Sequence, residues 1–454
     1  MARTNTYRVC SLFTTGLLGV LALILVGCGS TQIDDPLQIN FAHLEHLTES
    51  TVVNGHPCDI VHIYANAPSY EWTGDDDEGI ACVDDAARAA RLYLREYEAT
   101  GDTVYAERAI RLLEFVFAMQ TDTGEFANFI WPNKTINDTG RTSIPSMDWW
   151  TARASHCLAL AQRILSEYRP DISQRADSAL ALPIANLANL YLNQNTSLPD
   201  NASPDKISVY TLALLERRKI QSSVVEDALI ERFAEHILEH AFAGSSDFPY
   251  RVHLSWRNVW HSWGMLQVEA LVSAGQALNR PEWISSARTE CEGFQRFVFA
   301  NEGPIELKIE FDDTTEVRWY SQIAYGSASL AACQRAMYQV SGDTSFALGA
   351  GLAVGWLFGL NPSGEMIYDS ETGRCFDGIN SPESLNMNSG AESTIEALLA
   401  LQELRGLPNA SEVALAVRDQ ESTTEVVRFN TSGDQVIELV ADIARWNLVI
   451  KNKR

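Results

Sequence analysis

Thr100-Gly-Asp-Thr-Val-Tyr-Ala106 reappears far downstream as Ser341-Gly-Asp-Thr-Ser-Phe-Ala347, each leading into an aromatic-containing segment. Apolar residues recur with a period near 3.6 on both sides of the first copy, in Val83–Tyr97 and Val104–Met119, which is the pattern of amphipathic helices. The motif is therefore a tight helix–helix turn used twice. Similar short links occur at Ala99-Thr-Gly-Asp102, Tyr168-Arg-Pro-Asp171, Arg217-Arg-Lys-Ile220, Leu278-Asn-Arg-Pro281 and Val340-Ser-Gly-Asp343.

Working outward, the periodicity predicts twelve helices beginning near residues 36, 83, 103, 146, 171, 206, 224, 257, 281, 319, 343 and 388. Besides the two already named, Val259–Leu278 and Thr394–Leu404 are the clearest. The links between hairpins are long and hold most of the Trp, Gly and Asp. Helices that follow the long loops start at intervals of roughly 50 to 70 residues, and repetition at such a period indicates a repeat or toroid. Six hairpins with alternating short and long links close most simply into a ring of parallel inner helices and outer return helices. All long loops then share one mouth, where helix N-termini favour anionic groups. Ring closure also predicts that residues 71–88 meet residues 369–392. The tail beyond Leu407 changes character: Glu425–Phe429 and Gln435–Val440 flank Asn430-Thr-Ser-Gly-Asp and read as a β-hairpin packed on the barrel.

The chain has 454 residues, 46% hydrophobic, with a formal net charge of −25. This is ample for a large core and argues against nucleic acid or an anionic membrane as partner. Residues 1–27 combine Arg3 and Arg8 with the apolar run Leu17–Val26, the pattern of a signal peptide. The ending Leu25-Val-Gly-Cys28 resembles the bacterial lipobox, which implies a lipid on Cys28 and a cell-envelope location. Cys58, Cys82, Cys157, Cys291, Cys333 and Cys375 remain for a disulfide-permissive compartment, with a pairing that the sequence leaves open. Ligand spacings of a zinc site are missing, and nothing calls for an organic cofactor.

Glu71-Trp-Thr-Gly-Asp-Asp-Asp-Glu-Gly-Ile-Ala-Cys-Val-Asp-Asp-Ala-Ala-Arg88 carries seven carboxylates in eighteen residues. Glycosidic cleavage needs two carboxyl groups flanking the bond. Asp84 and Asp85 fall at the start of an inner helix with Arg88 one turn on, although one Asp could serve simply as N-cap. Asp75, Asp76, Asp77 and Glu78 form a solvated loop or a calcium site. Downstream stand Arg374, Asp377 and Glu392. Ser389-x-x-Glu392 and Ser393-x-x-Glu396 both fit a capping box; the second is favoured, and it would place Glu392 ahead of the helix, facing the mouth. Asp377 is a turn residue or a substrate hydrogen-bonding group. The long loops also hold Trp72, Trp149, Trp150, Trp256, Trp260, Trp263, Trp319 and Tyr320, aromatic platforms of the kind that stack on sugars. Trp260 and Trp263 are three apart on an expected helix, so one should be buried, and of the adjacent Trp149 and Trp150 one should be exposed. His253 and His261 are core or supporting residues, with His261 a possible substrate contact.

At Val83-Asp-Asp-Ala-Ala-Arg88 and Gly390-Ala-Glu-Ser393 the chain resembles the six-hairpin glycosidase superfamily. The resemblance implies an (α/α)6 barrel over residues 36–406, followed by an appendage at 407–454 and preceded by a lipidated linker at 28–35. It further implies Asp84 or Asp85 as base and Glu392 as acid, in many members with inversion of the anomeric centre. The expected protein is a monomeric, lipid-anchored glycoside hydrolase acting on an oligo- or polysaccharide. A lyase or epimerase on the same barrel, drawing on Tyr320, His261, Arg257 and Arg318, is the rival, and a non-catalytic glycan-binding lipoprotein is a third reading.

Overall fold

The computed structural model describes residues 35–192, 202–242, 248–303, 305–309, 315–442 and 445–453. The expected signal peptide and Cys28 lie outside the described residues. Helices run in the order α1 (Ala42–Leu47), α2 (Val83–Thr100), α3 (Thr103–Ala118), α4 (Trp149–Ile164), α5 (Pro170–Tyr191), α6 (Pro204–Arg218) and α7 (Val224–Glu239). They continue as α8 (Gln267–Ala277), α9 (Pro281–Glu290), α10 (Arg296–Ala300), α11 (Tyr325–Ser341), α12 (Thr344–Gly355), α13 (Ala391–Glu403) and α14 (Ala410–Ala414).

Among the described residues, α2, α4, α6, α8, α11 and α13 pack each on the next, and α13 packs back on α2. This closes an inner ring. Outside it, α3, α5, α7, α9 and α12 return along their partners, α1 packs on α13, and α14 packs on α12. The result is an (α/α)6 barrel. The inner helices are lined by small residues, with Ala86, Ala87, Ala89 and Ala90 of α2 all buried, because each is enclosed by an outer helix and two inner neighbours.

The repeated turn owes its recurrence to one capping device. Gly101 and Gly342 take left-handed φ of 73° and 68° to end α2 and α11, the conformation glycine adopts without strain. Asp102 and Asp343 then accept the backbone N–H of Val104 and Ser345 to start α3 and α12, the usual service of an N-cap aspartate.

The two ends of the chain meet as ring closure requires. Ala391 N–H donates to Ile63 O at 3.0 Å and Ser389 N–H to Ala65 O at 3.1 Å. Tyr70 Oη donates to Met387 O at 3.2 Å.

Several boundaries differ from expectation. The helix expected over Val259–Leu278 is two elements: Val259–His261 is a strand paired with Glu306–Ile309, which also pairs with Thr315–Arg318, and α8 starts only at Gln267. The short run Val259-Trp-His261 fits either period, and Gly264, at φ +66°, breaks the helical path between it and α8. Trp260 and Trp263 thus share no helix. The helix near 319 begins at Tyr325, and the first helix spans only Ala42–Leu47. In the tail, the hairpin Val426–Asn430/Gln435–Ala441 is flanked by Val417–Arg418 and Trp446–Asn452 to make a four-stranded antiparallel sheet. Phe429, Ile437, Leu439 and Trp446 of this sheet pack with Leu348 and Leu352 of α12. The six cysteines among the described residues, Cys58, Cys82, Cys157, Cys291, Cys333 and Cys375, are free and buried. No helix among the described residues is long and apolar enough to cross a membrane.

Close approach of α12 and α14 depends on Gly351. A Cβ there would meet Ala410 O at 2.5 Å and Val413 Cβ at 2.9 Å. Gly351→Val should force the helices apart and cost about 1–3 kcal/mol, read as a lowered denaturation midpoint.

Candidate active site

The mouth is built by the first turns of the inner helices. α2 is capped by Cys82, whose Sγ accepts Asp85 N–H at 3.4 Å. Neither Asp84 nor Asp85 is the N-cap, which leaves both carboxylates available. The two diverge. Asp85 turns inward, is buried, and accepts Arg88 Nη2 at 2.5 Å. Asp84 turns toward α4, where Arg153 Nη1 lies 3.0 Å from its Oδ1. Asn128 Nδ2 donates to Asp84 Oδ2 at 3.4 Å, and the Asp84 N–H donates to Asn128 Oδ1 at 3.2 Å.

Arg88 carries the contact across the closure of the ring. Its Nη1 donates to Glu396 Oε1 at 3.0 Å, and both Nη atoms reach Glu392 Oε2 at 3.2 Å. Three carboxylates, Asp85, Glu392 and Glu396, thus share one guanidinium whose side chain is 6% exposed. Glu396 and Asp85 are equally buried, while the Glu392 side chain is 46% exposed. Burial pushes the Asp85 and Glu396 carboxyls up, against the downward pull of Arg88. One positive charge faces three carboxyl groups, two of them buried, and burial outweighs the pull of Arg88 at Asp85 and Glu396.

The position of Glu392 corrects the favoured capping register. α13 begins at Ala391 with Gly390 as N-cap, so Glu392 lies within the first turn and neither serine caps the helix. A side chain at 390 is excluded, because its Cβ would sit 2.5 Å from Ile63 O. The cap comes instead from Asp377, whose Oδ1 accepts Gly390 N–H at 2.9 Å and Ser393 Oγ–H at 2.6 Å. Burial raises the Asp377 carboxyl and these two bonds oppose it. Asp377 thus positions the helix that carries Glu392.

Two residues at the centre of the site were not singled out from the sequence, Arg153 and Tyr325. Arg153 sits one turn into an inner helix, as Arg88 does, and that shared placement was the available signal. Tyr325 is the first residue of α11 and is 7% exposed; its Oη accepts Arg153 Nη2 at 2.7 Å. Nothing in its local sequence marks it.

The aromatics separate into exposed and buried sets. Trp72, Trp256 and Trp319 are exposed. Trp72 stacks on His62 at 4.0 Å and 14°, and its Nε1 donates to His46 O at 2.9 Å. Trp150 is buried with Nε1 donating to Phe126 O, while Trp149 is half-buried and stacks on Arg153, 4.8 Å from ring to Cζ. Tyr320 is half-buried. His261 is fully buried, its Nε2 2.9 Å from Asp205 Oδ2 and its ring 3.9 Å from Trp263, so the expectation that it contacts substrate is not met. Arg374 stacks over Tyr70 at 4.6 Å and bonds Thr372.

The acidic loop is shaped by its own backbone. Asp75 Oδ1 accepts the N–H groups of Asp77 and Glu78, and among the described residues no three His, Cys, Asp or Glu side chains converge as a metal site. Glu78 accepts Thr142 Oγ1 at 3.1 Å. It borders a cleft of about 720 Å³ lined also by Tyr64, Trp131 and Arg141.

No family model matches the chain, and no curated protein matches it. Solved structures share its fold. A cellobiose 2-epimerase from Spirochaeta thermophila superposes with TM-score 0.56 at 13% identity, covering 80% of this chain and 92% of that one. A metagenome-derived GH9 endoglucanase gives 0.50 at 14%, covering 82% and 80%. A GH76 α-mannanase from Bacteroides thetaiotaomicron gives 0.50 at 11%, covering 72% and 86%. The chain shares the (α/α)6 barrel fold of these enzymes.

Below the mouth the barrel interior stays charged. Glu269 of α8 is raised to about 7 by burial and by Glu403, and its Oε2 has no hydrogen-bond partner among the described residues. A carboxyl raised from 4.5 loses its proton first in the unfolded chain. The stability it contributes is therefore full below about 4.5 and lost as pH rises to about 7. Glu269→Gln should gain about 1–3 kcal/mol over the parent at pH 8 and little at pH 4, measured by denaturant unfolding at both values.

Proposed function

We propose that this chain is a glycoside hydrolase that cleaves an oligo- or polysaccharide by carboxylate acid–base catalysis, with inversion. One observation carries the reading: two guanidiniums divide the mouth's carboxylates into two environments. Asp84 faces one cation, Arg153, 3.0 Å away. Asp85, Glu392 and Glu396 crowd a single cation, Arg88, and burial pushes the Asp85 and Glu396 carboxyls up. Environments that differ in this sense assign base and acid. Asp84 then takes a proton from water attacking the anomeric carbon. Glu392, the one cluster member open to solvent, gives its proton to the departing glycosidic oxygen. Trp72, Trp256 and Trp319 offer exposed faces for sugar rings, and Trp149 borders the base. That an endoglucanase and an α-mannanase are built on this barrel supports the assignment.

Solved relatives in fold also include sugar epimerases. An epimerase or lyase needs a base able to reach a sugar C–H. His261 is enclosed, Arg318 is paired with Glu306 at 3.1 Å, and the Tyr325 phenol is pushed up by burial against the pull of Arg153, which disfavours it as a base near neutral pH. The hydrolytic reading is therefore preferred. The Leu25-Val-Gly-Cys28 ending supports attachment to the cell envelope through a lipid on Cys28. Radiolabelled palmitate should enter the native chain and not a Cys28→Ala chain.

Screening reducing-sugar release on neutral polysaccharides and aryl glycosides tests the activity. Asp84→Asn and Glu392→Gln should each lower kcat about 10²–10⁴-fold while the proteins stay folded. Proton NMR of the first product should show the anomer opposite to the substrate's. Wild-type turnover by both variants, or release of an ultraviolet-absorbing unsaturated sugar, would reject hydrolysis by this pair.

A further inference from the structure

Tyr325 has no part in the acid–base scheme, yet the mouth converges on it. Its hydroxyl accepts Arg153 Nη2 at 2.7 Å, while the other terminal nitrogen of Arg153 lies 3.0 Å from Asp84 Oδ1. Its ring lies 5.6 Å from Arg153 Cζ and 4.9 Å from Arg88 Cζ. Trp149 borders the same guanidinium, 4.8 Å from ring centre to Cζ. Space for this arrangement is left by Gly264, where a Cβ would fall 3.1 Å from Tyr325 Oη and 3.6 Å from Trp149 Cη2, at a φ of +66°.

Geometry explains why a hydroxyl is useful there. A guanidinium on a flexible stem has five N–H donors and can turn its fork among nearby acceptors. Asp84 and the Arg88 cluster offer four carboxylates within one mouth. An arginine free to rotate could leave Asp84 for the more negative cluster. An acceptor on Nη2 fixes the fork and leaves Nη1 3.0 Å from Asp84 Oδ1 as an ion pair. The aromatic face, in contact with both guanidiniums, lets two cations lie close at low cost.

We propose that Tyr325 is a positioning residue, its hydroxyl holding Arg153 on Asp84 and its ring keeping the Arg153–Asp84 pair separate from the Arg88 cluster. The proposal rests on the reading of Asp84 as the base. Tyr325 acts through Arg153 and not on substrate, and a residue that merely fills space would need its ring but not its oxygen.

Tyr325→Phe separates the two roles, since it keeps the ring and removes the acceptor. In protein carrying ¹³C at aspartate carboxyls, the Asp84 signal is identified by its loss in Asp84→Asn. In Tyr325→Phe the titration of that signal should move to higher pH by about half to one unit, because the cation is no longer held against it. The acid limb of kcat against pH should move by the same amount, with kcat lowered about 5- to 50-fold and KM within twofold. Arg153→Lys, which keeps the charge without the fork, should show the same displacement and serves if Tyr325→Phe does not fold. An Asp84 titration and an acid limb that coincide with those of the parent in the folded variant would overturn the proposal. The two readings fail separately. Full turnover by Asp84→Asn with a displaced titration in Tyr325→Phe would reject Asp84 as base and keep the positioning. An inactive Asp84→Asn with an unmoved titration would do the reverse.

Discussion

A buried guanidinium is the constraint on which the rest of this structure depends. Arg88 is out of water, and a lone charge there would be severely unfavourable. It is tolerated because Asp85 from its own helix and Glu392 and Glu396 from α13 surround it. Those partners come from opposite ends of the sequence, so the ion cluster can form only when the last inner helix closes on the first. Barrel closure and assembly of the mouth are therefore one event.

The same arithmetic gives the site its chemistry. Three carboxylates share one cation at Arg88, and burial raises the two enclosed ones, Asp85 and Glu396. One carboxylate meets one cation at Asp84 and Arg153. Two similar side chains adjacent in sequence, Asp84 and Asp85, thus enter different surroundings because a helix directs them to different neighbours. Asp377 extends the logic. It stabilises the start of α13, and so the placement of Glu392, from a position where Gly390 cannot carry a capping side chain.

The barrel contributes parallel inner helices, and the N-terminal turns of α2, α4, α11 and α13 reach the mouth. α2 supplies Asp84, Asp85 and Arg88; α4 supplies Trp149 and Arg153; α11 supplies Tyr325; α13 supplies Glu392 and Glu396. Each lies within about two turns of a helix start, where main-chain N–H groups favour the negative charge concentrated there. Short turns at the other end, such as the twin Gly-Asp turns at 101–102 and 342–343, keep the hairpins in register and stay clear of the site.

The sequence alone determined the hairpins, their alternating links, the closure of the ring and the meeting of residues 71–88 with residues 369–392, because these follow from local periodicity and turn chemistry. It also identified Asp84, Asp85 and Glu392 as the carboxylates at issue. Tertiary structure decided which of the two aspartates is enclosed, that Gly390 rather than either serine caps α13, that Val259–His261 is a strand, and that His261 and Trp150 are sealed inside. It also brought Arg153 and Tyr325 to the mouth. Such outcomes turn on side-chain direction and on neighbours hundreds of residues away. A period of 3.6 states which face of a helix is buried but not what lies opposite it. Whether a carboxylate keeps its proton is set by that opposite face.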